Sequence, residues 1–389
     1  MSQDFAASEG ASISQQPSLS QQEAFARIRL LRSPNIGPVS YRQLLRRYGN
    51  ARDALDALPD MGKRGGRQYR PAPVSQIEDE VAATRKAGAK YLFHGTPDYP
   101  ELLTQIESAP PILTYRGNIA LASRPCVAIV GARNSSAAAV KLAREFSASL
   151  TQAGLVVVSG LARGIDGAAH QGALPATIGV IASGIEIAYP PQHAQLQEQV
   201  ASQGLLLAEQ PPGTQPRGSH FPSRNRIIAG LAAGTLVVEA APKSGSLITA
   251  RLAGEAGREV MAIPGSPLDS RSQGCNQLIR DGAILVQSAD DVVELLSGFD
   301  GVARSTFREP EAWAYIAEDG LTEGGRPEDG LPEDEPARID NLLTTAPIAV
   351  DELIRQSGQS AASVQLALLE LEISGLLVRH AGSRVSRAA

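Results

Sequence analysis

The sequence predicts an α/β protein built on a doubly wound, mostly parallel sheet, with a small helical domain before the sheet and a winged helix after it. Residues 77–296 alternate short apolar runs with helical patterns. Residues 21–73 are helical in pattern, and residues 337–389 contain three helices followed by a short hairpin pattern. Continuous apolar runs separated by helices are typical of parallel strands that are buried on both faces.

Composition fits this architecture and restricts the function. The chain has 389 residues, enough for two or three domains, and only 4% of them are aromatic. A net charge of -5 argues against coating nucleic acid through bulk charge, but it leaves room for a local basic groove. Cys126 and Cys275 are the two cysteines, so we expect no disulfide framework, no zinc site and a reduced, cytoplasmic setting. No apolar run reaches membrane-spanning length, so no membrane partner is expected.

The chain divides into five predicted segments. They are a disordered tail (1–20), a helical domain with its connector (21–73), the sheet domain (77–296), an acidic flexible linker (297–336) and a winged-helix domain (337–389). The linker is acidic and rich in Gly and Pro, so it cannot bury a core of its own, and the parts on either side should unfold separately.

The N-terminal helices are joined by a tight turn at Ile36-Gly37-Pro38. This turn resembles the hairpin of helix-hairpin-helix and SAM-like modules, in which backbone amides can approach a phosphate. A small helical bundle that only packs on its neighbour is the alternative. Residues 61–73 are rich in Gly and Arg and are interpreted as a mobile connector.

The sheet domain should place its loops on one edge, because ligands of doubly wound sheets bind beyond the carboxyl ends of the strands. The predicted strands are Val127–Val130, Val156–Val158, Ile178–Ile181, Leu205–Leu207, Leu236–Val238, Val260–Ile263 and Ile284–Val286. In the loops that follow, Ser135 or Ser136, Asp166 and Ser246 are the predicted helix caps. Ser244-Gly245-Ser246 at a helix start is a candidate anion site.

Six cations should lie along this edge. They are Arg133, Arg163, Arg217, Arg224, Arg226 and Lys243. Such a cluster in an acidic protein suggests a polyanionic ligand. The alternative is that individual arginines form structural ion pairs with Asp166, Glu209 or Glu239.

Phe221 is predicted to lie on a loop with Arg224 and Arg226, immediately before an apolar helical run. An aromatic ring beside guanidinium groups suits a nucleic-acid strand, because the ring stacks a base while the cations contact phosphates. Alternatively, Phe221 is a hydrophobic staple of the following helix.

Catalytic signatures are missing from the sequence. It contains no Walker A motif and no Gly-x-Gly-x-x-Gly loop, so neither an ATPase nor a dinucleotide enzyme is favoured, and no cofactor is expected. The histidines have no metal-ligand spacing, and His170 is interpreted as a packed helical residue. A rival interpretation is a nucleotide-processing enzyme of the lysine-decarboxylase-like type, although Ala233-Gly234-Thr235 before Glu239 lacks the double glycine of that type.

The C-terminal block has the outline of a winged helix, with a third helix from Ser363 to Ser374 that we interpret as amphipathic. A transcription regulator is therefore a further alternative. The acidic residues Asp351, Glu352, Glu370 and Glu372 argue against duplex binding. Contact with another protein, or folding back onto the core, is the preferred role of this block.

Taken together, the loops closely resemble the DNA-processing protein A family (DprA, also called Smf). The matching motifs are Gly131-x-Arg133, Ser159-Gly160-x-Ala162-Arg163-Gly164-Ile165-Asp166, Tyr189-Pro190, Phe221-Pro222-x-Arg224-Asn225-Arg226, Val238-Glu239-Ala240, Ser244-Gly245-Ser246 and Gly274-x-Asn276. They span the α/β block almost from end to end. The turns at Leu174-Pro175 and Ser183–Glu186 depart from the family pattern outside the proposed pocket.

The resemblance implies an extended Rossmann-like domain that dimerises and has no enzymatic activity. It also implies a single-stranded-DNA-binding mediator that protects incoming strands in natural transformation. Such a protein helps to load RecA recombinase and displaces single-strand-binding protein. The implied DNA-binding residues are Arg133, Ser159, Gly160, Arg163, Arg217, Phe221, Arg224, Asn225, Arg226, Lys243, Ser244, Gly245 and Ser246.

Overall fold

The structure is a computed structural model that describes residues 19–64, 68–298, 339–380 and 382–388. The predicted tail, apart from its last two residues, and the predicted acidic linker, apart from its first two, lie outside the described residues. In the part that is described, no helix is both long and apolar enough to cross a bilayer.

The N-terminal part is helical, as predicted. Its helices are α1 (Gln21–Arg32), α2 (Pro38–Tyr48), α3 (Ala51–Arg64) and α4 (Val74–Lys86). The Ser20 hydroxyl caps α1 by accepting a hydrogen bond from the Glu23 amide at 3.2 Å, and Pro38 occupies the first position of α2, where no amide donor is needed.

The predicted mobile connector at residues 61–73 is wrong in its described parts. Helix α3 continues through the fully buried Met61 to Arg64. Tyr69 is also buried, and its hydroxyl donates to the carbonyl of Pro34 at 2.6 Å. The apolar and aromatic side chains at Met61 and Tyr69 bury themselves in the helical domain despite the glycines between them.

The centre of the protein is a nine-stranded sheet. Its strands are β1 (Lys90–Phe93), β2 (Ile112–Gly117), β3 (Cys126–Val130), β4 (Val156–Ser159), β5 (Thr177–Ile181), β6 (Leu205–Ala208), β7 (Gly234–Val237), β8 (Glu259–Ala262) and β9 (Ile284–Leu285). Strands β3 to β9 are parallel and correspond to the seven predicted runs, whereas β1 and β2 form an antiparallel edge that the sequence patterns did not identify.

Helices cover both faces of the sheet and bury two apolar layers against it. They are α5 (Glu101–Thr104), α6 (Ala137–Gln152), α7 (Ile165–Ala173), α8 (Ala194–Gln203), α9 (His220–Leu231), α10 (Gly245–Glu255), α11 (Gln273–Arg280) and α12 (Ala289–Ser297). His170 is a buried helical residue of α7, as predicted, and it shares a hydrogen bond of 2.8 Å with the Thr177 hydroxyl. Cys126 is a core residue of β3.

The strand order β1-β2-β6-β5-β4-β3-β7-β8-β9 locates the switch point of the sheet. The chain starts its parallel region at β3, continues to one side through β6, and then returns to the other side at β7. The loops after β3 and β7 therefore diverge at the same edge, which is where doubly wound sheets bind ligands.

A winged helix forms the C-terminal part, as predicted. It consists of α13 (Ile339–Leu342), β10 (Ile348–Ala349), α14 (Val350–Ser357), α15 (Ala361–Ile373), β11 (Leu377–His380) and β12 (Arg384–Arg387). Strand β12 lies between β10 and β11 in an antiparallel sheet. Val364 and Leu368 of α15 are completely buried in the core of this unit.

Helix α15 is not the amphipathic helix that we predicted, because it has a second apolar face. Leu366, Leu369 and Ile373 pack against the N-terminal helices in a core shared with Leu44 and Leu58. The two ends of the chain therefore share a packed core. Whether the parts on either side of residues 297–336 unfold separately stays a prediction.

Polar contacts reinforce this packing. The Asn35 side-chain amide donates to the Ile373 carbonyl at 3.1 Å, and the side-chain amide of Gln43 donates to that of Gln365 at 3.0 Å. The turn before α2 is thus joined to the end of α15 by a hydrogen bond.

Candidate nucleic-acid interface

Phe221 lies in the first turn of α9 and not on a loop, so the loop assignment of Phe221, Arg224 and Arg226 is wrong. Pro222 is compatible with this turn because the first helical amides have no acceptor within the helix. The Phe221 ring is half-buried. Its centroid lies 5.7 Å from the ring of Tyr189 and 5.1 Å from the guanidinium carbon of Arg133.

Two adjoining cavities open around this ring. The first, of about 230 Å³, is lined by Arg133, Arg163, Tyr189 and Phe221 among others. The second, of about 610 Å³, extends from Arg133 and Phe221 to Lys243 at the start of α10. Arg133, Arg163 and Lys243 are exposed. Arg133 lines both cavities, Arg163 lines the smaller one and Lys243 lines the larger one.

Arg224 also lines both cavities, but its side chain is buried with only 6% of its surface exposed. Its guanidinium donates to the carbonyls of Gly160 and Val180, the latter at 2.8 Å. Burial lowers the pKa of Arg224 to about 10, while the carboxylate of Asp166 opposes this shift. Arg224 thus lies at the predicted edge, and its contacts fit the structural alternative, because its donors hold the loop after β4. Its role in DNA binding stays a prediction.

Gly160 is required by this arrangement. A Cβ atom at this position would lie 1.8 Å from a terminal nitrogen of Arg224, which leaves no room for a side chain. Ser159, the preceding residue, is buried and donates its hydroxyl to the Ile129 carbonyl at 2.6 Å. Both predicted site residues thus shape the backbone of the loop.

Asn225 connects α9 to the start of α10. Its side-chain oxygen accepts from Nε of Arg224 at 3.1 Å, and its side-chain nitrogen donates to the Gly245 carbonyl at 3.4 Å. Both polar atoms of the Asn225 side chain therefore have partners within the protein.

The helix start at α10 is capped differently from the prediction. Ser244, and not Ser246, is the N-cap, and its hydroxyl accepts from the Ser246 amide at 3.4 Å. The hydroxyls of the two serines are 2.7 Å apart. Ser244, Gly245 and Ser246 all line the larger cavity, so the amino end of α10 faces the space beside Phe221.

Two carboxylates at this edge stabilise loops. Asp166 is buried and is not the predicted N-cap of α7, since Gly164 takes that position. Its carboxylate accepts from the amides of Gly160 and Ala162 at 3.2 and 3.4 Å. Burial raises the pKa of Asp166, and the nearby Arg224 and these amides oppose the rise.

Glu239 accepts from the Ser136 amide at 2.8 Å and thereby joins the loops after β7 and β3. Ser136 is the N-cap of α6, one of the two candidates that we predicted. Glu239 is buried, and its carboxylate lies 4.0 Å from Nε of Arg271.

Arg226 and Arg217 do not line either cavity. Arg226 pairs with Glu209 and donates to the Ser108 carbonyl, on a different side of α9. Arg217 is exposed on the loop before α9. The expected group of six cations is thus divided, and Arg133, Arg163 and Lys243 remain together in exposed positions.

Tyr189 lines the smaller cavity but is not among the predicted site residues. Its side chain is 46% exposed, and its ring contacts Phe221 across the smaller cavity. The Tyr189-Pro190 motif was noted in the chain, but nothing local indicated that the loop after β5 returns to the start of α9. An exposed aromatic residue in a loop was the available signal.

The fold and this edge define a doubly wound α/β protein with a helix-hairpin-helix-type domain before the sheet and a winged helix after it. The DNA recombination-mediator protein A model matches residues 90–297, more than half of the chain. A DprA-like N-terminal HHH domain matches residues 21–83, and a DprA winged helix domain matches residues 325–383. The chain belongs to the DNA recombination-mediator protein A family.

Relatives and solved structures agree with this membership. The chain is 37% identical over 318 residues to Protein Smf of Synechocystis sp., which covers 77% of this chain and 80% of the relative. It is 48% identical over 198 residues to DNA processing protein DprA of Streptococcus pneumoniae, covering 50% and 70% of the two chains.

The crystal structure of the Streptococcus pneumoniae protein aligns with a TM-score of 0.60 at 38% identity, over 72% of this chain and 98% of that one. A structure of DNA processing protein A from Helicobacter pylori, described by its single-stranded DNA binding mode, aligns with a TM-score of 0.50 at 27% identity. It covers 54% of this chain and 95% of that one.

Proposed function

We propose that this protein binds single-stranded DNA at the switch-point edge of its sheet and acts there as a recombination mediator. The observation that carries the proposal is the half-buried ring of Phe221, held between Tyr189 and the guanidinium of Arg133 at the opening of two cavities. Unpaired bases can stack on such rings, whereas the bases of a duplex are stacked on each other.

In this proposal a base stacks on Phe221 while Arg133, Arg163 and Lys243 contact the flanking phosphates. The amino end of α10 adds backbone donors to the same space. Arg224, Asn225, Ser159 and Gly160 keep the loops in position. The Helicobacter pylori relative, whose structure concerns single-stranded DNA binding, supports the choice of ligand.

The wider role follows from membership of the family. The protein would protect incoming single strands in natural transformation, displace single-strand-binding protein and help to load RecA recombinase. It would act in the cytoplasm as a homodimer and without enzymatic chemistry. The engagement of Asp166 and Glu239 by backbone amides supports the last point, because both carboxylates stabilise loops in this structure.

The first test compares a single-stranded oligonucleotide with a duplex of the same length by fluorescence anisotropy. We expect much tighter binding of the single strand. Three phosphate contacts predict a slope of log K against log salt of about -2, and Arg133→Ala should reduce its magnitude by about 0.7. Arg280→Ala, at an exposed position at the end of α11, is the matched control and should leave the slope unchanged.

Equal affinity for both DNA forms at the same salt would contradict the proposal. Incubation with nucleoside monophosphates tests the enzyme alternative in parallel. Release of free base, together with absent DNA binding, would replace the mediator with a nucleotide-processing enzyme.

A further inference from the structure

Two residues that line the larger cavity are absent from the predicted site. They are Thr249, in the second turn of α10, and Arg271, in the loop between β8 and α11. The larger cavity adjoins the smaller one at Phe221 and Arg133, which line both. Thr249 and Arg271 therefore border the same space as the ring that we propose stacks a base.

Thr249 is almost completely buried, with 2% of its surface exposed. Hydroxyl groups inside helices commonly donate to the carbonyl four residues earlier, as those of Thr84 and Ser147 do at 2.9 and 2.7 Å. The Thr249 hydroxyl has no hydrogen-bond partner, side chain or backbone, in the part of the chain that the structure describes. Because buried polar groups are almost always paired, an unpaired hydroxyl that lines a cavity points to a ligand in that cavity.

The groups around Thr249 suit a nucleotide. The first amides of α10, beginning at Gly245, have no acceptor within the helix, and Thr249 follows Gly245 by one turn on the same face. The amino end of this 11-residue helix also favours negative charge. Ile248 lines the same cavity with 36% of its surface exposed, so it offers an apolar contact to a sugar or base.

Arg271 brings a charge to the same cavity. Its side chain is 44% exposed. The Asp269 carboxylate accepts from Nε and from one terminal nitrogen, at 3.1 and 2.9 Å. Since a guanidinium group carries five N–H donors, Nη1 is left to contact a phosphate while Asp269 orients the group.

Positive charge exceeds negative charge around this cavity. Among the described residues that line it, the charged ones are Arg133, Arg224, Lys243 and Arg271, and a single carboxylate, that of Asp166. Asp166 accepts from two backbone amides and lies close to Arg224, which offsets its charge. A phosphate group in the cavity is therefore attracted more than it is repelled.

We propose that the larger cavity binds a second nucleotide of the strand, whose phosphate group is contacted by Thr249 and Arg271. The inference rests on the single-strand binding proposed above, and it extends the site from the Phe221 ring to the loop after β8. The Thr249 hydroxyl donates to a phosphate oxygen, and Arg271 supplies a charged contact. A fourth cation at a phosphate raises the expected magnitude of the wild-type salt slope from about 2 to about 2.8.

Thr249→Val in the full chain tests the hydroxyl, with an oligothymidylate of about twelve nucleotides as the probe. We expect about tenfold weaker binding by fluorescence anisotropy, because a hydrogen bond to a charged group is lost. The salt slope should not change, since the hydroxyl is uncharged. The melting temperature should stay the same or rise, because no unpaired hydroxyl is then buried. Thr249→Ser keeps the hydroxyl and should bind as the wild type does.

Arg271→Ala tests the charge. It should weaken binding about fivefold at about 0.1 M salt and reduce the magnitude of the salt slope by about 0.7. Arg251→Ala is the matched control, because Arg251 is an exposed arginine of α10 that pairs with Glu255 at 3.6 Å and does not line the cavity. It should change neither the affinity nor the slope.

The two proposals fail differently. If the wild-type protein does not bind the oligothymidylate, the proposed function is wrong and the second nucleotide site falls with it. If the wild type binds but Thr249→Val or Arg271→Ala binds equally tightly, the second nucleotide site is wrong and the Phe221 site stands. Equal weakening by Thr249→Val and Thr249→Ser would also contradict it, because the hydroxyl would then not be the contact.

Discussion

Two helices of this protein belong to elements that contact nucleic acids in other proteins, yet they present opposite surfaces. Helix α9 begins with a half-exposed ring beside the exposed cations Arg133 and Arg163. Helix α15 corresponds to the recognition helix of a winged helix, but its outer face carries Leu369 and Ile373, both buried against the N-terminal helices.

The difference shows which of the two surfaces can still make contacts with a ligand. The outer face of α15, at Leu369 and Ile373, is buried against the N-terminal helices, so it cannot enter a DNA groove. We call it the closed surface. The Phe221 ring is only half-buried and the neighbouring Arg133 and Arg163 are exposed, so a DNA strand can reach them. We call this the open surface. A substitution should therefore reduce stability at the closed surface and affinity at the open one.

The largest effect is expected at Arg224, because this residue is buried although it lines the cavities of the open surface. We expect Arg224→Met to lower the free energy of unfolding by about 3–5 kcal/mol, since it leaves Asp166 without its buried counter-charge and two carbonyls without donors. Urea denaturation measures this. Arg163→Met, an exposed arginine of the same cavity, should stay within about 0.5 kcal/mol of wild type. A stable Arg224→Met protein that binds DNA weakly would instead make Arg224 a direct phosphate ligand.

At the closed surface, Leu369→Ala should lower the free energy of unfolding by about 2–5 kcal/mol, because it leaves a cavity in the core that α15 shares with the N-terminal helices. Binding of a short single strand should be unaffected. Val378→Ala, at a 44% exposed position of β11, should change stability by less than about 0.5 kcal/mol. If Leu369→Ala lowers DNA affinity without lowering stability, the outer face of α15 contacts DNA and our assignment of this surface is wrong.

At the open surface, Phe221→Ala should reduce single-strand affinity by about 1–3 kcal/mol while the melting temperature barely changes. Phe221→Trp should preserve binding, because the larger ring still stacks. Phe25→Ala, a half-buried phenylalanine of α1, is the control for losing an aromatic ring elsewhere. If Phe221→Ala melts much lower and binds normally, the ring is a hydrophobic staple.

The smallest expected effect belongs to the rim of the closed surface. Glu370 pairs with Arg64 at 2.8 Å, and the Arg64 side chain is 56% exposed. Glu370→Gln should therefore reduce stability by no more than about 1 kcal/mol, and by less as salt is added. Denaturation at two salt concentrations measures this, and a larger, salt-independent loss would mean that the ion pair is part of the core.

Much of the sheet could be predicted because β3 to β8 are buried on both faces, which makes them continuous apolar runs. The antiparallel strands β1 and β2 were missed because Lys90, Tyr115 and Arg116 interrupt their apolar character. The start of α9 was also missed, since Pro222 is as common in loops as in a first helical turn.

Which residues lie at the site was easier to predict than which of them are buried and hydrogen-bonded within the protein. Arg133 and Arg224 look equivalent in the sequence, each following a turn. The carbonyls of Gly160 and Val180, sixty-four and forty-four residues before Arg224, hold its guanidinium in the interior, and the residues around Arg224 in the sequence do not show this. The outer face of α15 was hidden for a similar reason, because its partners lie at the other end of the chain.

That last contact has a consequence for synthesis. Asn35 and Ile373 are 338 residues apart, so the N-terminal helices leave the ribosome long before the helix that covers them exists. At about 5–20 residues per second, the interval is roughly 20 to 70 s. During this time Leu44 and Leu58 lack part of the core that buries them in the finished protein. The nascent helical domain is therefore the segment that we expect molecular chaperones to bind, and the last helix to be made releases it.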